Sequence, residues 1–290
     1  MTVGVFGFSP AELGELRGLV DSETYFWRID EPAALPSIDL MVIDLDSLSP
    51  AEEPTEVLNE VGIRSGGVAQ AIVSASPTAL DLALTAQHVM HLVSRDQSPV
   101  CLQLAAIIGR MRHPTPGLRA AVNDLSAQQQ PPMRVIDRKS KQSTLDELTR
   151  LICEQQVPAR HRINLINAVD ELLSNALRFG ESDTGATERI SIEIGHTFCP
   201  GGISIRVSDN RGRLTPERFK QALTHGRDCH VRKQIVGEGG LGLYAVLMAL
   251  SELDVTITSG VKTEFVGRSL HTLPYRDFRR RSKSFSIVTH

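Results

Sequence analysis

The chain has 290 residues, 41% of them hydrophobic but only 4% aromatic, and its formal net charge is −3. That length buries ample core and suits two ordinary domains with aliphatic interiors. The near balance of charge excludes a global electrostatic pull toward nucleic acid or an anionic membrane.

Residues 1–112 alternate short apolar runs with helical patterns, as a parallel α/β sheet requires. Strands are expected at 3–8, 40–44, 71–74 and 89–93, and amphipathic helices at 11–20, 78–87 and 99–111. Residues 113–132 read as a linker, because His113-Pro114-Thr115-Pro116-Gly117 and Gln128-Gln129-Gln130-Pro131-Pro132 break the periodicity. Residues 133–275 follow another order: a short strand at 133–137, helices at 145–155 and 159–179, and strands at 189–194 and 203–208. A polar segment leads to a helix at 241–250 and strands at 255–258 and 264–270. This segregation predicts an α/β sandwich, a mainly antiparallel sheet covered on one face by helices. Residues 276–290 form a basic tail with Arg276, Arg279, Arg280, Arg281 and Lys283, read as a solvated terminus or an electrostatic docking segment.

The cysteines, Cys101, Cys153, Cys199 and Cys229, lie far apart without a C-x-x-C pair, which disfavours a zinc site and a disulfide scaffold. No run reaches the roughly 18 apolar residues of a spanning helix, and the first residues lack the basic start of a secretory leader. A soluble, cytoplasmic chain is expected, with neither nucleic acid nor membrane as partner.

Three stretches carry candidate chemistry. In the helix at 159–179, apolar Ile163, Ile166, Val169, Leu173 and Leu177 line one side, while Asn167, Glu171 and Asn175 form a polar stripe. Glu171 and Asn175 are one turn apart, so both can face one ligand, such as a hydrated Mg²⁺ held against nucleotide phosphates. The same stripe would serve as a solvated face. Asp209 ends a strand and Gly212 lies in the turn behind it; the carboxylate can accept a hydrogen bond from an exocyclic amine such as that of adenine, and Asp-Asn-x-Gly is also a common turn. Gly237-Glu238-Gly239-Gly240-Leu241-Gly242 runs into an apolar helix, where backbone amides can converge on phosphate oxygens. It is neither a Walker A loop nor a dinucleotide fingerprint.

In this order the three stretches resemble the Bergerat-type (GHKL) ATP-binding fold of gyrase and histidine kinases, over about residues 133–272. The resemblance implies ATP and Mg²⁺ as cofactors. It makes Asn175 the metal ligand, Glu171 the general base, and Asp209, Gly212 and Thr263 the adenine side, with Gly237, Gly239, Gly240, Leu241 and Gly242 closing over the phosphates. The family's Asp-x-Gly-x-Gly is altered, because Arg211 and Arg213 stand at the two glycine positions. Arg227, His230, Arg232 and Lys233 fall on the segment that would form a lid, as phosphate contacts or solvated charge.

Residues 133–158, leading into the Glu171 helix, look similar to anti-sigma-factor serine kinases. That likeness implies a protein partner, a sigma factor or an antagonist-like protein bound or phosphorylated on Ser/Thr, and admits a homodimer. The alternatives are a nucleotide-gated binding module without turnover, or a histidine kinase using His88, His91 or His113. The N-terminal part resembles a response-regulator receiver, with Asp44 at the acceptor position and Ser74 and Arg95 near the usual hydroxyl and cation. Its first strand ends without the acidic pair, so Mg²⁺ lacks ligands there. A pseudo-receiver serving interaction or dimerisation is expected, with Asp44 also able simply to cap a turn.

Overall fold

The computed structural model describes residues 1–28, 37–96, 99–113, 128–129, 133–180, 192–199, 202–231, 242–272 and 274–290. The chain divides into two units, Met1–Arg119 with Arg281–Val288, and Ala120–Arg280 with Thr289–His290.

The first unit is built from β1 (Thr2–Phe6), α1 (Pro10–Leu19), β2 (Tyr25–Arg28), β3 (Leu40–Asp44), α2 (Pro54–Arg64), β4 (Ala69–Ser74), α3 (Ala79–Thr85), β5 (Val89–Ser94) and α4 (Val100–Arg112). The five strands are parallel in the order β2-β1-β3-β4-β5, the doubly wound order of flavodoxin-like folds. On one face Val3, Val5, Leu40, Val42, Ala71, Val73 and Val93 pack against Leu13 and Leu16 of α1 and Leu104, Ile107 and Ile108 of α4. Met41, Ile43 and Ile72, which point the other way, are also buried. A sheet covered on both faces explains why β3 reads as a continuous apolar run.

Two departures from expectation here have local causes. β1 stops at Phe6 rather than residue 8, because Gly7 turns at φ +83° and a Cβ there would lie 1.9 Å from Ser47 Oγ. Ser9 then starts α1 with a capping box to Glu12. β2 escaped the sequence reading because it is a sheet edge with Tyr25 and Trp27 more than half exposed, so it shows no alternation.

The second unit contains β6 (Gln128–Gln129), β7 (Met133–Val135), α5 (Arg138–Glu154), α6 (Ala159–Gly180), β8 (Ile192–Cys199), β9 (Gly202–Asp209), α7 (Pro216–Val231), α8 (Gly242–Ala249), β10 (Glu252–Thr258), β11 (Lys262–Leu270) and α9 (Tyr275–Arg280). Its strands run in the order β10-β11-β9-β8-β6, with β7 also on β8, and their pairings are antiparallel. Register places side chains in rows across the sheet: Leu253, Gly267, Ile205 and His196, then Val255, Phe265, Val207 and Ile194, then Ile257, Thr263, Asp209 and Ile192. Leu250 packs over Gly267, where a Cβ would come within 2.5 Å of its Cδ1, so this is the face that the helices cover.

α6 buries Leu165, Ala168, Val169, Leu172, Leu173 and Leu177, spaced for one face of a helix. Ile163, expected in that stripe, is 56% exposed, because the packed line begins two residues later. α5 starts at Arg138, seven residues before the expected start, because Asp137 caps it against Ser140 while its first turns are polar.

The polar segment after β9 is in fact the 16-residue helix α7, which buries Phe219 and Leu223 one turn apart. Lys220 is buried on it, and loss of hydration lowers its ammonium from 10.5 to about 8. Between about 8 and 10.5 the unfolded chain holds this proton more tightly, so this group makes stability rise with pH through that window. Lys220→Met is expected to raise the unfolding midpoint at pH 7 and flatten that rise, as measured by thermal unfolding at pH 7 and pH 9.5.

The expected basic tail is structured. Tyr275–Arg280 is helical, and β12 (Ser284–Thr289) pairs antiparallel with β5, Phe285 opposite Leu92 and Ser286 opposite His91. Ser284 Oγ accepts from the Ser94 amide at 2.9 Å and donates to Gln103 Oε1 at 3.0 Å, while Ser286 Oγ meets His91 Nδ1 at 2.7 Å. Charge ends at Lys283, and Ser284-Phe285-Ser286-Ile287-Val288 is a buried strand that covers a sheet edge. His91 is thereby 1% exposed, and His113 caps the end of α4.

Candidate functional site

The site forms where α6, the start of α8, the end of β9 and the start of β11 meet. On α6, Asn175 Nδ2 donates to Glu171 Oε1 at 3.0 Å, the one-turn pairing expected of i and i+4. Behind them Lys141 of α5 binds Asp170 Oδ1 at 2.7 Å and Ser174 Oγ at 2.6 Å, which fixes the helix about its axis. Glu171 lies against Gly242, the first residue of α8. A Cβ at Gly242 would fall 1.8 Å from Glu171 Oε1, so the lack of a side chain there is what admits the carboxylate. The amide bond leaves Asn175 Oδ1 without a protein donor among the described residues.

The opposite wall is the last row of the sheet. Asp209 and Thr263 are direct cross-strand partners between Ile257 and Ile192. Asp209 Oδ1 accepts the amides of Arg211 at 2.8 Å and Gly212 at 3.1 Å, an Asx turn that aims the carboxylate. Its Oδ2 accepts no hydrogen bond among the described residues. Thr263 is 1% exposed and its Oγ1 has no hydrogen-bond partner among the described residues. A buried hydroxyl left unbonded costs about 1–3 kcal/mol. Together these atoms offer an acceptor and a hydroxyl beside the apolar surface of Val207, Phe265 and Leu243, as the edge of a purine requires.

Gly212 holds the Asp209 turn against the β10–β11 hairpin. Its φ is +57°, and a Cβ would lie 2.1 Å from Thr258 O and 2.7 Å from Lys262 N; Gly260 N donates to Gly212 O at 3.1 Å. Gly212→Ala is expected to cost at least about 1–2 kcal/mol from the left-handed backbone alone. A lower thermal unfolding midpoint together with weaker ATP binding is the expected readout.

Of the residues expected at this site, Glu171, Asn175, Asp209, Gly212, Gly242 and Thr263 converge here, while Gly237, Gly239, Gly240 and Leu241 lie outside the described residues. Arg227 and His230 belong to α7, where Arg227 pairs with Asp228 at 2.8 Å; Arg232 and Lys233 are outside the described residues. Arg211 and Arg213 line the pocket, and so do Arg178 and Arg218, which the sequence reading did not select. Arg178 could have been found from its position three residues past Asn175 on the same face. Arg218 required knowledge of α7.

ATP and Mg²⁺ fit the donor set. The free Asn175 Oδ1 would hold Mg²⁺, which takes few protein oxygens and otherwise water and phosphate. Asp209 and Thr263 would take the base. Bound Mg²⁺ would neutralise phosphate charge. Among the described residues no group of three or more His, Cys, Asp or Glu side chains forms a metal cluster.

In the first unit Asp44 is buried and ion-paired. Arg95 Nη2 lies 2.5 Å from Asp44 Oδ2, and Arg95 also reaches Glu12 at 3.3 Å and Asp46 at 3.3 Å. Burial raises the Asp44 carboxyl above its ordinary range, with Arg95 opposing. Asp44 Oδ1 also accepts the Asp46 amide at 3.2 Å, capping the turn that follows β3. Asp46 in turn takes Ser74 Oγ at 2.7 Å and the Ala75 amide at 2.8 Å. One arginine thus stands among three carboxylates.

Residues 161–275 match the family of histidine kinase-, DNA gyrase B-, and HSP90-like ATPases. The matched stretch contains Glu171, Asn175, Asp209, Gly212, Gly242 and Thr263. Among solved structures, the chain is similar to the Legionella pneumophila response regulator LqsR, at 12% identity over 94% of this chain and 87% of that one, with a TM-score of 0.30. No curated protein matches the chain. Among the described residues, no helix is long and apolar enough to cross a membrane.

Proposed function

We propose that this protein is a signalling regulator whose second unit is a Mg-ATP-dependent serine/threonine kinase of the anti-sigma type, acting on a protein partner. The observation that carries this reading is Glu171, set by Gly242 and Asn175 at the start of α8. There its carboxylate can accept the proton of an incoming Ser or Thr hydroxyl as the oxygen attacks the terminal phosphoryl group. The partner would be a sigma factor or an antagonist-like protein. The first unit, with Arg95 paired to Asp44, would serve as a pseudo-receiver for interaction or dimerisation rather than as a phosphorylated switch.

A second reading has its own observation. Arg211 and Arg213 replace two glycines beside the base-binding carboxylate and line the pocket, which suits a domain that binds nucleotide to gate partner binding without turnover. The test is incubation with ATP labelled on its terminal phosphate and with antagonist-type proteins of the same cell. Acid-stable phosphoserine or phosphothreonine on such a protein supports the kinase. Nucleotide-dependent capture without transfer supports the binder, and acid-labile label on the chain itself would return the histidine kinase.

A further inference from the structure

A second cavity, of about 290 Å³, lies among α6, α7, α8 and α9 within the second unit, and it shares no described lining residue with the nucleotide pocket. Leu243 lines the nucleotide pocket, whereas Tyr244, Ala245, Met248 and Ala249 form the floor of the second cavity. Their spacing puts these four residues on one side of α8. Two alanines one turn apart leave that floor open and apolar, and the flexible thioether of Met248 can shape itself to a ring lying on it.

The outer wall is α9, and packing fixes it in place. Tyr275 and Phe278 meet the buried ring of His161 on α6 edge-on, with centroids 5.4 and 4.9 Å apart, and Asn164 Nδ2 donates to the Tyr275 hydroxyl at 2.6 Å. That bond uses the acceptor side of the hydroxyl and leaves its proton to be donated. Arg279 follows Tyr275 by one turn of α9, so a guanidinium and a hydroxyl proton stand beside each other on the cavity wall. Arg279 forms no ion pair among the described residues. From α7, His230 borders the cavity with its ring 5.8 Å from that of Tyr244. No carboxylate lines this cavity among the described residues. An apolar floor with a few polar groups at its rim is the composition of a small-molecule site, and the volume falls at the small end of the range for such sites, about 300–1,000 Å³. Arginine's planar fork takes a carboxylate through two parallel N–H donors, and tyrosine rings beside the floor favour a flat, aromatic body.

We propose that this cavity is a binding site for a small aromatic carboxylate, its ring lying on Ala245, Met248 and Ala249 and its acid held by Arg279 and the Tyr275 hydroxyl. The site is separate from the nucleotide pocket, and it stands whether or not that pocket binds ATP. The test is calorimetric titration of the full chain with benzoate and 2-naphthoate, and with their neutral amides benzamide and 2-naphthamide. One of the acids is expected to bind one-to-one and about tenfold or more tighter than its amide, as a charge-assisted hydrogen bond in place of a neutral one gives. Arg279 is exposed, and circular dichroism checks that Arg279→Ala is folded. In that variant acid and amide are expected to bind within about twofold of each other, for the same reason. Ala245→Trp, also at an exposed position, should fill the floor and abolish binding of both. Binding of the acid should persist at saturating Mg-ATP. Absence of saturable binding by either acid, or an amide that binds as tightly as its acid, would overturn the proposal. So would a preference that survives in Arg279→Ala, full binding by Ala245→Trp, or displacement of the acid by Mg-ATP, which would put it in the nucleotide pocket instead.

Discussion

Glu171→Gln is expected to leave Mg-ATP affinity within about twofold while cutting phosphoryl transfer to a partner hydroxyl by about 10²–10⁴-fold, the usual contribution of a general base. The amide retains the side chain's shape and still offers an oxygen to Asn175 Nδ2, now 3.0 Å from Oε1, so the wall of the pocket is kept. It cannot take up a proton. Single-turnover transfer measured beside calorimetric affinity separates the two effects. Equal falls in both would mean that Glu171 supports binding, whereas undiminished transfer would remove it from the chemistry. The close seat against Gly242 suggests a control: Gly242→Ala should displace the same carboxylate and reproduce the loss of transfer.

Asn175→Ala is expected to weaken Mg-ATP binding by about 10–100-fold or more, on the scale seen when a metal site loses a supporting group. ATP binding measured in a chelator should change far less. The distinguishing quantity is the ratio of affinities with and without Mg²⁺, which should collapse toward one in the variant. Loss of the side chain also removes the amide that binds Glu171, so transfer should fall even at saturating ATP. A ratio equal to that of the wild type would mean that magnesium is held elsewhere.

The parts of the fold legible in the sequence are those where burial imposes a period. β3 and β4 read as apolar runs because helices cover both faces of their sheet, and α6 carries enough apolar spacing to mark itself. The parts that were not legible lack that imprint. β2 is an exposed edge, and α7 buries few apolar side chains over 16 residues. β12 alternates serine with apolar residues just after a run of arginines, so the charge hid a strand whose serines bond inside the core. At the site, Glu171, Asn175 and Asp209 were recognisable because spacing and residue type already imply ligands. That Thr263 lies opposite Asp209 depends on strand register, and Arg178 and Arg218 matter only once α6 and α7 face one pocket. Both are tertiary facts. In the first unit the missing acidic pair was visible, but not the way Glu12 and Asp46 join Asp44 in holding Arg95.

The central claim is that the Asp209–Thr263 row and the Glu171–Asn175 turn enclose a working adenine-nucleotide site despite Arg211 and Arg213. Titration of the wild-type chain with Mg-ATP, beside Mg-GTP, tests it most directly. Saturable one-to-one binding of Mg-ATP, weaker without Mg²⁺ and much weaker for Mg-GTP, is the predicted result. Absence of saturable binding, or equal affinity for the two nucleotides, would contradict it.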